Sequence, residues 1–173
     1  ENKNDDMVVR YAKGLSSEDV IKMVNSFAPE TDIVFHARIG TAGIVSDELC
    51  HPFPIENVPA FKTEGTAESV LFHNGHYHKW EKYAPDFLYQ ANKERWSDSR
   101  AIAHALAVGT INFQELGNAI SGTFAVLSAK QFNGVKNTGS MRRFGAWRLI
   151  KGAVWASNTF FLYKPVLNNK IIS

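Results

Sequence analysis

The chain has 173 residues, a length that suits a single domain with a substantial hydrophobic core. Hydrophobic residues make up 45% and charged residues 21%, the composition of an ordinary soluble globular protein. The single cysteine, Cys50, excludes an internal disulfide. No apolar run approaches the roughly 20 residues that span a bilayer, and no signal peptide is visible, so we expect a cytoplasmic protein without a membrane partner.

Charge is distributed very unevenly along the chain, although the formal net charge is only +2. Residues 1–115 contain 11 basic and all 17 acidic side chains, whereas residues 116–173 contain 8 basic side chains and no acid. A basic C-terminal third can serve an anionic partner such as nucleic acid. The alternative is that the two parts interleave in space and their fields cancel.

The first predicted elements are a helix and a strand. Ser16 is a helix cap followed by acids, and apolar residues between Val20 and Phe27 recur at helical spacing. Residues 32–38 read as a strand with Ile33, Val34 and Phe35 as its buried core. Residues 40–62 contain three prolines and no long periodic run, which predicts a long ordered loop.

The middle of the chain predicts one further strand and three helices. Residues 69–73 form the strand, and Asn74-Gly75 after it favours a sharp turn. The predicted helices cover residues 77–83, residues 98–108 with Ile102, Ala105 and Leu106 facing inward, and residues 113–120.

The remainder predicts strands over residues 123–128, 142–150 and 153–163, with a polar loop over 131–140. This order, with helices grouped between strands, indicates an α+β fold with largely antiparallel pairing. No internal repeat or low-complexity linker divides the chain, so we expect one domain over residues 1–173.

Four short motifs follow one another in the sequence. An arginine at a strand end can hold a carboxylate with two parallel bonds, and an Asn-Gly turn can stabilise an oxyanion. Ser97-Asp98 predicts the N-terminal capping pair of a helix. The motifs are His36-Ala37-Arg38-Ile39-Gly40-Thr41-Ala42-Gly43, His51-Pro52-Phe53, His73-Asn74-Gly75 and Ser97-Asp98-Ser99.

In this order the motifs resemble the glutaminase domain of class II glutamine amidotransferases, a branch of the N-terminal nucleophile hydrolases. Ser121-Gly122-Thr123-Phe124-Ala125 and Ala156-Ser157 resemble later strands of that family, so the resemblance covers most of the chain. It implies a four-layer αββα sandwich of two mostly antiparallel sheets, and hydrolysis of the glutamine amide without a metal or cofactor.

The resemblance also implies the roles of individual residues. Asn74 and Gly75 would form the oxyanion hole, Arg38 would bind the α-carboxylate of glutamine, and Asp98 would receive its α-ammonium group. Thr41 and His73 belong to the same substrate-binding set. One departure is Arg100, which stands where the family has a glutamate.

The family attacks the amide with an N-terminal cysteine, whereas this sequence starts with Glu1. The resemblance therefore implies that the first strand or strands of the domain are not included. One hypothesis is an active glutaminase or amidotransferase whose nucleophile lies upstream. The other is an inactive protein of the same fold, a pseudoenzyme retained for binding an amino acid, a protein partner or a second copy.

Three groups of residues allow a second interpretation. Cys50 stands at a structural alanine position of the family, so we expect an inert buried thiol rather than the nucleophile. His73, His76 and His78 lack an acid or cysteine at ligand spacing, so we expect no metal site. Aromatic residues among the C-terminal bases suit either stacking on nucleic acid or an alternating strand core: Phe132, Phe144, Trp147 and Trp155.

Overall fold

A computed structural model of the protein describes residues 8–29, 31–37, 46–129, 140–150, 154–157, 166–167 and 170–171. Within these ranges the helices are α1 (Ser17–Asn25), α2 (Asp86–Ala91) and α3 (Asp98–Ala107). The strands are β1 (Val9–Ala12), β2 (Phe53–Pro54), β3 (Glu64–Ala67), β4 (Ser69–Asn74), β5 (Thr123–Ser128), β6 (Ser140–Phe144), β7 (Arg148–Ile150), β8 (Val154–Ala156), β9 (Val166–Leu167) and β10 (Lys170–Ile171).

The largest sheet of the described residues has four antiparallel strands in the order β2-β4-β5-β6. Its centre is the β4–β5 pair, which runs from Ser69 opposite Ser128 to Asn74 opposite Thr123. Three antiparallel ribbons accompany it: β1-β3, β7-β8 and β9-β10. Antiparallel sheets with few helices confirm the α+β class expected from the sequence.

The central sheet is covered on both faces because its apolar side chains alternate along the strands. Leu71 on β4 and Phe124 and Val126 on β5 belong to one buried cluster, together with Ile102 of α3. Val70, Phe72 and Ala125 belong to a second cluster that includes β1. Strand alternation therefore sends His73 toward α3 and Asn74 toward the opposite face.

Two helices begin at serine caps, as the sequence predicts. Ser16 accepts the backbone N–H of Asp19 at the start of α1, and Ser97 accepts the N–H of Arg100 at the start of α3. In α3, Ile102 and Ala105 are fully buried, which confirms the inward face predicted for this helix. The cap at Ser97 matters for the site because it fixes the positions of Asp98 and Ser99 in the first turn.

The strand predicted over residues 32–38 is wrong for its described part. Residues 31–37 have no regular secondary structure, and Ile33 and Phe35 are 44% and 66% exposed. A β-branched pattern forms a strand only where a neighbouring strand completes its hydrogen bonds, and none of the described strands pairs with this segment. Its side chains line a groove instead.

Two predicted helices are also corrected. Residues 113–120 contain one 3₁₀ turn, Phe113–Glu115, capped by Asn112, and the chain then reverses at Gly117 with φ +75°. Residues 77–83 contain a 3₁₀ turn only over Trp80–Tyr83. In the first segment the left-handed backbone of Gly117 ends the turn. The second segment ends at Ala84, immediately before Pro85.

The C-terminal strand prediction is partly corrected. The strand predicted over 142–150 is two strands, β6 and β7, because Gly145 adopts φ +81° between them. Of the long loop predicted over residues 40–62, the structure describes residues 46–62, and Leu49 and Phe53 are buried there. Residues 131–139 and 158–163, which carry parts of the remaining predictions, lie outside the described residues.

Candidate functional site

His73 is the buried centre of the site. Its ring stacks on Phe124 of the neighbouring strand with centroids 4.3 Å apart and an angle of 5° between the planes. A Cβ atom on Gly122 would lie 2.4 Å from its Nε2 atom, and one on Gly75 would lie 2.9 Å away. Both glycines have positive φ values, +132° and +153°. The imidazole thus fits against two backbone segments that only glycine allows to approach so closely.

The hydroxyl of Ser99 joins His73 to the neighbouring loop. Ser99 Oγ lies 3.1 Å from His73 Nδ1 and 3.1 Å from His51 Nε2, so one buried hydroxyl bridges two imidazoles. Its third neighbour is Asp98, whose Oδ1 atom lies 3.3 Å away and also accepts the backbone N–H of Ser99 at 2.7 Å. Ser99 itself is only 3% exposed.

Asp98 organises the turn that follows β4. Its Oδ2 atom accepts the backbone N–H of Tyr77 at 2.9 Å. The same oxygen lies 3.8 Å from His73 Nδ1 and 3.6 Å from His76 Nδ1. The Asp98 side chain retains 13% exposure at the edge of the cluster.

The protonation of His73 is set by its surroundings. Burial lowers the pKa of His73 below its ordinary value, and the charge of Asp98 opposes that effect. A contact with the Ser121 backbone also raises the pKa, whereas His76 lowers it. The direction is downward, so the surroundings of His73 favour its neutral form.

Asn74 reaches the last motif of the sequence. Its Nδ2 atom donates to Ser157 Oγ at 2.8 Å, across 83 residues of chain. Together with the contacts of Ser99, this bond links segments that are far apart in sequence. The structure therefore brings His73, Asn74, Gly75 and Asp98 to one end of β4. Arg38 and Thr41 lie outside the described residues.

A large groove lies on the face of the sheet opposite α3. It has a volume of about 1120 Å³ and is lined mostly by apolar side chains of β1, α1, residues 31–37 and the sheet. His36 and His51 lie at its lining with their ring centroids 4.0 Å apart. Cys50 also lines it, with its Sγ atom 3.7 Å from the carbonyl oxygen of Ser46. Cys50 is partly exposed rather than buried, so that expectation is corrected.

The sequence motifs contain Ser99 and Ser157 without a predicted role for either, and a pair of buried cations was not predicted at all. Lys13 and Arg100 are 7% and 3% exposed, and both donate to the carbonyl oxygen of Glu48. Arg100 also donates to the carbonyl oxygen of Arg95. Burial, the largest cause, lowers the pKa of Lys13 to about 8 and that of Arg100 to about 10. No periodicity signals a buried cation, whereas the Ser97-Asp98-Ser99 motif did contain Ser99.

Arg100 packs against two aromatic rings. Its guanidinium lies 5.2 Å from the ring centroid of Phe53 and 4.6 Å from that of Phe61. Residues two apart on a helix point in nearly opposite directions. Arg100 and Asp98 therefore point away from each other on α3.

The basic C-terminal region presents one exposed aromatic side chain in its described part. Trp155 is 42% exposed, and the guanidinium of Arg143 lies 4.1 Å from its ring centroid. Trp147 is partly buried, and its Nε1 atom donates to the carbonyl oxygens of Phe124 and Phe144 at 3.1 Å. Trp147 thus packs against the sheet, whereas Trp155 is exposed. Phe132 lies outside the described residues.

No model of a known protein family matches the chain, and no characterised protein or solved structure is significantly similar to it. In the described part of the chain no helix is long and apolar enough to cross a membrane. Among the same residues no group of three or more His, Cys, Asp or Glu side chains is arranged to hold a metal. The functional assignment therefore depends on the geometry of the chain itself.

Proposed function

We propose that the chain is a glutaminase-type domain that holds glutamine at the end of β4, as in class II glutamine amidotransferases. The observation that carries the proposal is the hydrogen-bonded junction of four separated segments: 51–53, 73–75, 97–99 and 156–157. Three of these segments, 51–53, 73–75 and 97–99, carry motifs that follow one another in the resemblance, so their junction supports one site. The four-layer αββα sandwich belongs to the same proposal.

The chemistry assigned to Asn74 and Gly75 is stabilisation of an oxyanion. A side-chain amide has two N–H donors, and Ser157 takes one of those of Asn74. In the proposal the other donor and the N–H of Gly75 bind the carbonyl oxygen of the substrate as negative charge develops there. The contact with Ser157 fixes the amide, which reduces the reorganisation needed when the substrate binds.

The chemistry assigned to Asp98 is recognition of the α-ammonium group. Its carboxylate already accepts backbone N–H groups on both oxygens, from Tyr77 and from Ser99. Such bonds orient the carboxylate, and its partial exposure leaves one edge accessible to a ligand. Arg38 and Thr41 complete the proposed site on the carboxylate side of glutamine, as the sequence motif predicts.

Turnover in this proposal requires a thiolate to attack the amide carbon. A thioester forms as ammonia leaves, and water then releases glutamate. The resemblance assigns the attack to an N-terminal cysteine, and Cys50 is excluded from that role in the proposal because it lines the groove rather than the Asn74 turn. The reaction uses neither metal nor cofactor.

Calorimetry with glutamine tests the proposed recognition. Asp98→Asn should weaken binding by roughly 10- to 100-fold, because a charge-assisted bond to the ammonium is lost. Asp86→Asn is a matched control, since Asp86 is an exposed acid in the first turn of α2. Equal binding by both variants and the unmodified chain would refute the assignment of Asp98.

An ammonia-release assay on material of confirmed mass separates the two forms of the proposal. Binding with release of ammonia would support an active glutaminase. Binding without release from a chain that carries no N-terminal cysteine would favour the pseudoenzyme. In the pseudoenzyme, the exposed pair of Arg143 and Trp155 would contact an anionic partner. Salt-sensitive binding of such a partner, weakened by Arg143→Ala, would support the contact.

A further inference from the structure

The hydroxyl of Ser99 is limited in the number of hydrogen bonds that it can make. A serine hydroxyl has one proton to donate and two lone pairs with which to accept. Ser99 Oγ has three polar neighbours: His51 Nε2, His73 Nδ1 and Asp98 Oδ1. All of its capacity is therefore used, and the single proton can go to only one of the three.

This limit determines what the two imidazoles can do. An ionised carboxylate only accepts, so when the hydroxyl donates to Asp98 both imidazoles must donate to Ser99. When the hydroxyl donates to one imidazole, the other imidazole must supply a proton of its own. In either case at least one ring nitrogen facing Ser99 carries a proton, and the state of one ring restricts that of the other.

The two rings belong to different surroundings. His51 lines the large groove beside His36, on a loop that precedes β2. His73 lies at the base of the Asn74-Gly75 turn, and it faces Asp98, His76 and the Ser121 backbone. The buried hydroxyl of Ser99 contacts both rings.

We propose that Ser99 is a positioning residue that couples the protonation of His51 in the groove to that of His73 beneath the Asn74 turn. The coupling stands on geometry alone and does not depend on glutamine being the ligand. If the proposed glutaminase site is also correct, a polar ligand that binds His51 in the groove changes the protonation of His73, the ring beneath the Asn74-Gly75 turn.

Nuclear magnetic resonance of protein labelled with ¹⁵N in its histidines tests the coupling. In the unmodified chain, the ring nitrogens of His73 should show a second step in their shifts at the pH where His51 titrates. Ser99→Ala should remove that step, because no hydroxyl then joins the rings. Ser128→Ala is the control, since Ser128 is also a buried serine but bonds Ser69. The proposal would be overturned if the His73 shifts of the unmodified chain showed no step at the pH where His51 titrates.

A second variant keeps the test informative if Ser99→Ala does not fold. His51→Gln supplies an amide N–H that donates at all pH values and has no titration of its own. The step of His73 at the pH of His51 should then disappear while the contact with Ser99 is kept. Persistence of the step in His51→Gln would show that it comes from another group, such as His76, and would refute the coupling. A merely structural role for Ser99 predicts a change in stability without any change in these titrations.

Discussion

The contact between His73 and two glycines leads to the sharpest stability prediction. We expect Gly122→Ala to destabilise the fold far more than Gly109→Ala, although both glycines have positive φ values of +132° and +74°. A Cβ on Gly122 would lie 2.4 Å from His73 Nε2 and 2.8 Å from its Cδ2 atom. A Cβ on Gly109 would meet nothing within 4 Å.

The magnitudes follow from two separate effects. Backbone strain at a positive φ costs about 1–2 kcal/mol for alanine, which is the whole expected loss at Gly109. Gly122→Ala adds an overlap of about 1 Å with a ring that cannot retreat, because Phe124 and Ser99 hold it. Overpacking of this kind typically costs about 1–3 kcal/mol, so the total is about 2–5 kcal/mol.

Equilibrium unfolding in urea measures both variants against the unmodified chain. We expect a clearly larger loss of stability for Gly122→Ala, together with a changed His73 ring signal in that variant alone. Equal losses for the two variants would show that the backbone strain explains everything and that the His73 ring does not press on Gly122.

Four further predictions concern the helices, the core and the charge of the site. Ser97→Ala should cost about 1 kcal/mol in urea unfolding, because the cap of α3 is lost. Ile102→Ala should cost about 2–5 kcal/mol, whereas Ile21→Ala, at a side chain 60% exposed, should stay within about 0.5 kcal/mol. Burial lowers the pKa of His73 below 6.5, so the folded state favours the neutral ring. The stability that depends on the neutral ring is therefore fully present above that pH and is lost as the pH falls toward the folded-state pKa. His73→Phe keeps the stack on Phe124 and should reduce the loss of stability between pH 7 and pH 5; an unchanged pH dependence would contradict the assignment. Asp98→Asn should lower the pKa of His73 further in a histidine titration, because the carboxylate opposes the effect of burial.

Local signals in the sequence were sufficient for several elements. The serine caps at Ser16 and Ser97 and the alternating strand over residues 123–128 were predicted with their boundaries almost unchanged. In each case the residues that give the signal lie within a few positions of the element that they predict. The Asn74-Gly75 turn after β4 is of the same kind.

Features that depend on distant residues were not predictable in this way. Residues 32–38 have the composition of a strand, yet a strand needs a partner that composition does not reveal. The bridge from His51 through Ser99 to His73 joins positions 48 and 26 residues apart. The motifs indicated which residues belong together, whereas the hydroxyl that joins them became visible only in the fold.

Mapping of glutamine onto the backbone amides is the most direct measurement of the central claim. Addition of glutamine to the ¹⁵N-labelled chain should shift the amide signals of Asn74, Gly75 and Asp98 in a saturable manner. Asp98→Asn should weaken this response, and Asp86→Asn should not. No saturable change, or changes confined to groove residues such as Val20 and Phe27, would contradict a glutamine site at the end of β4.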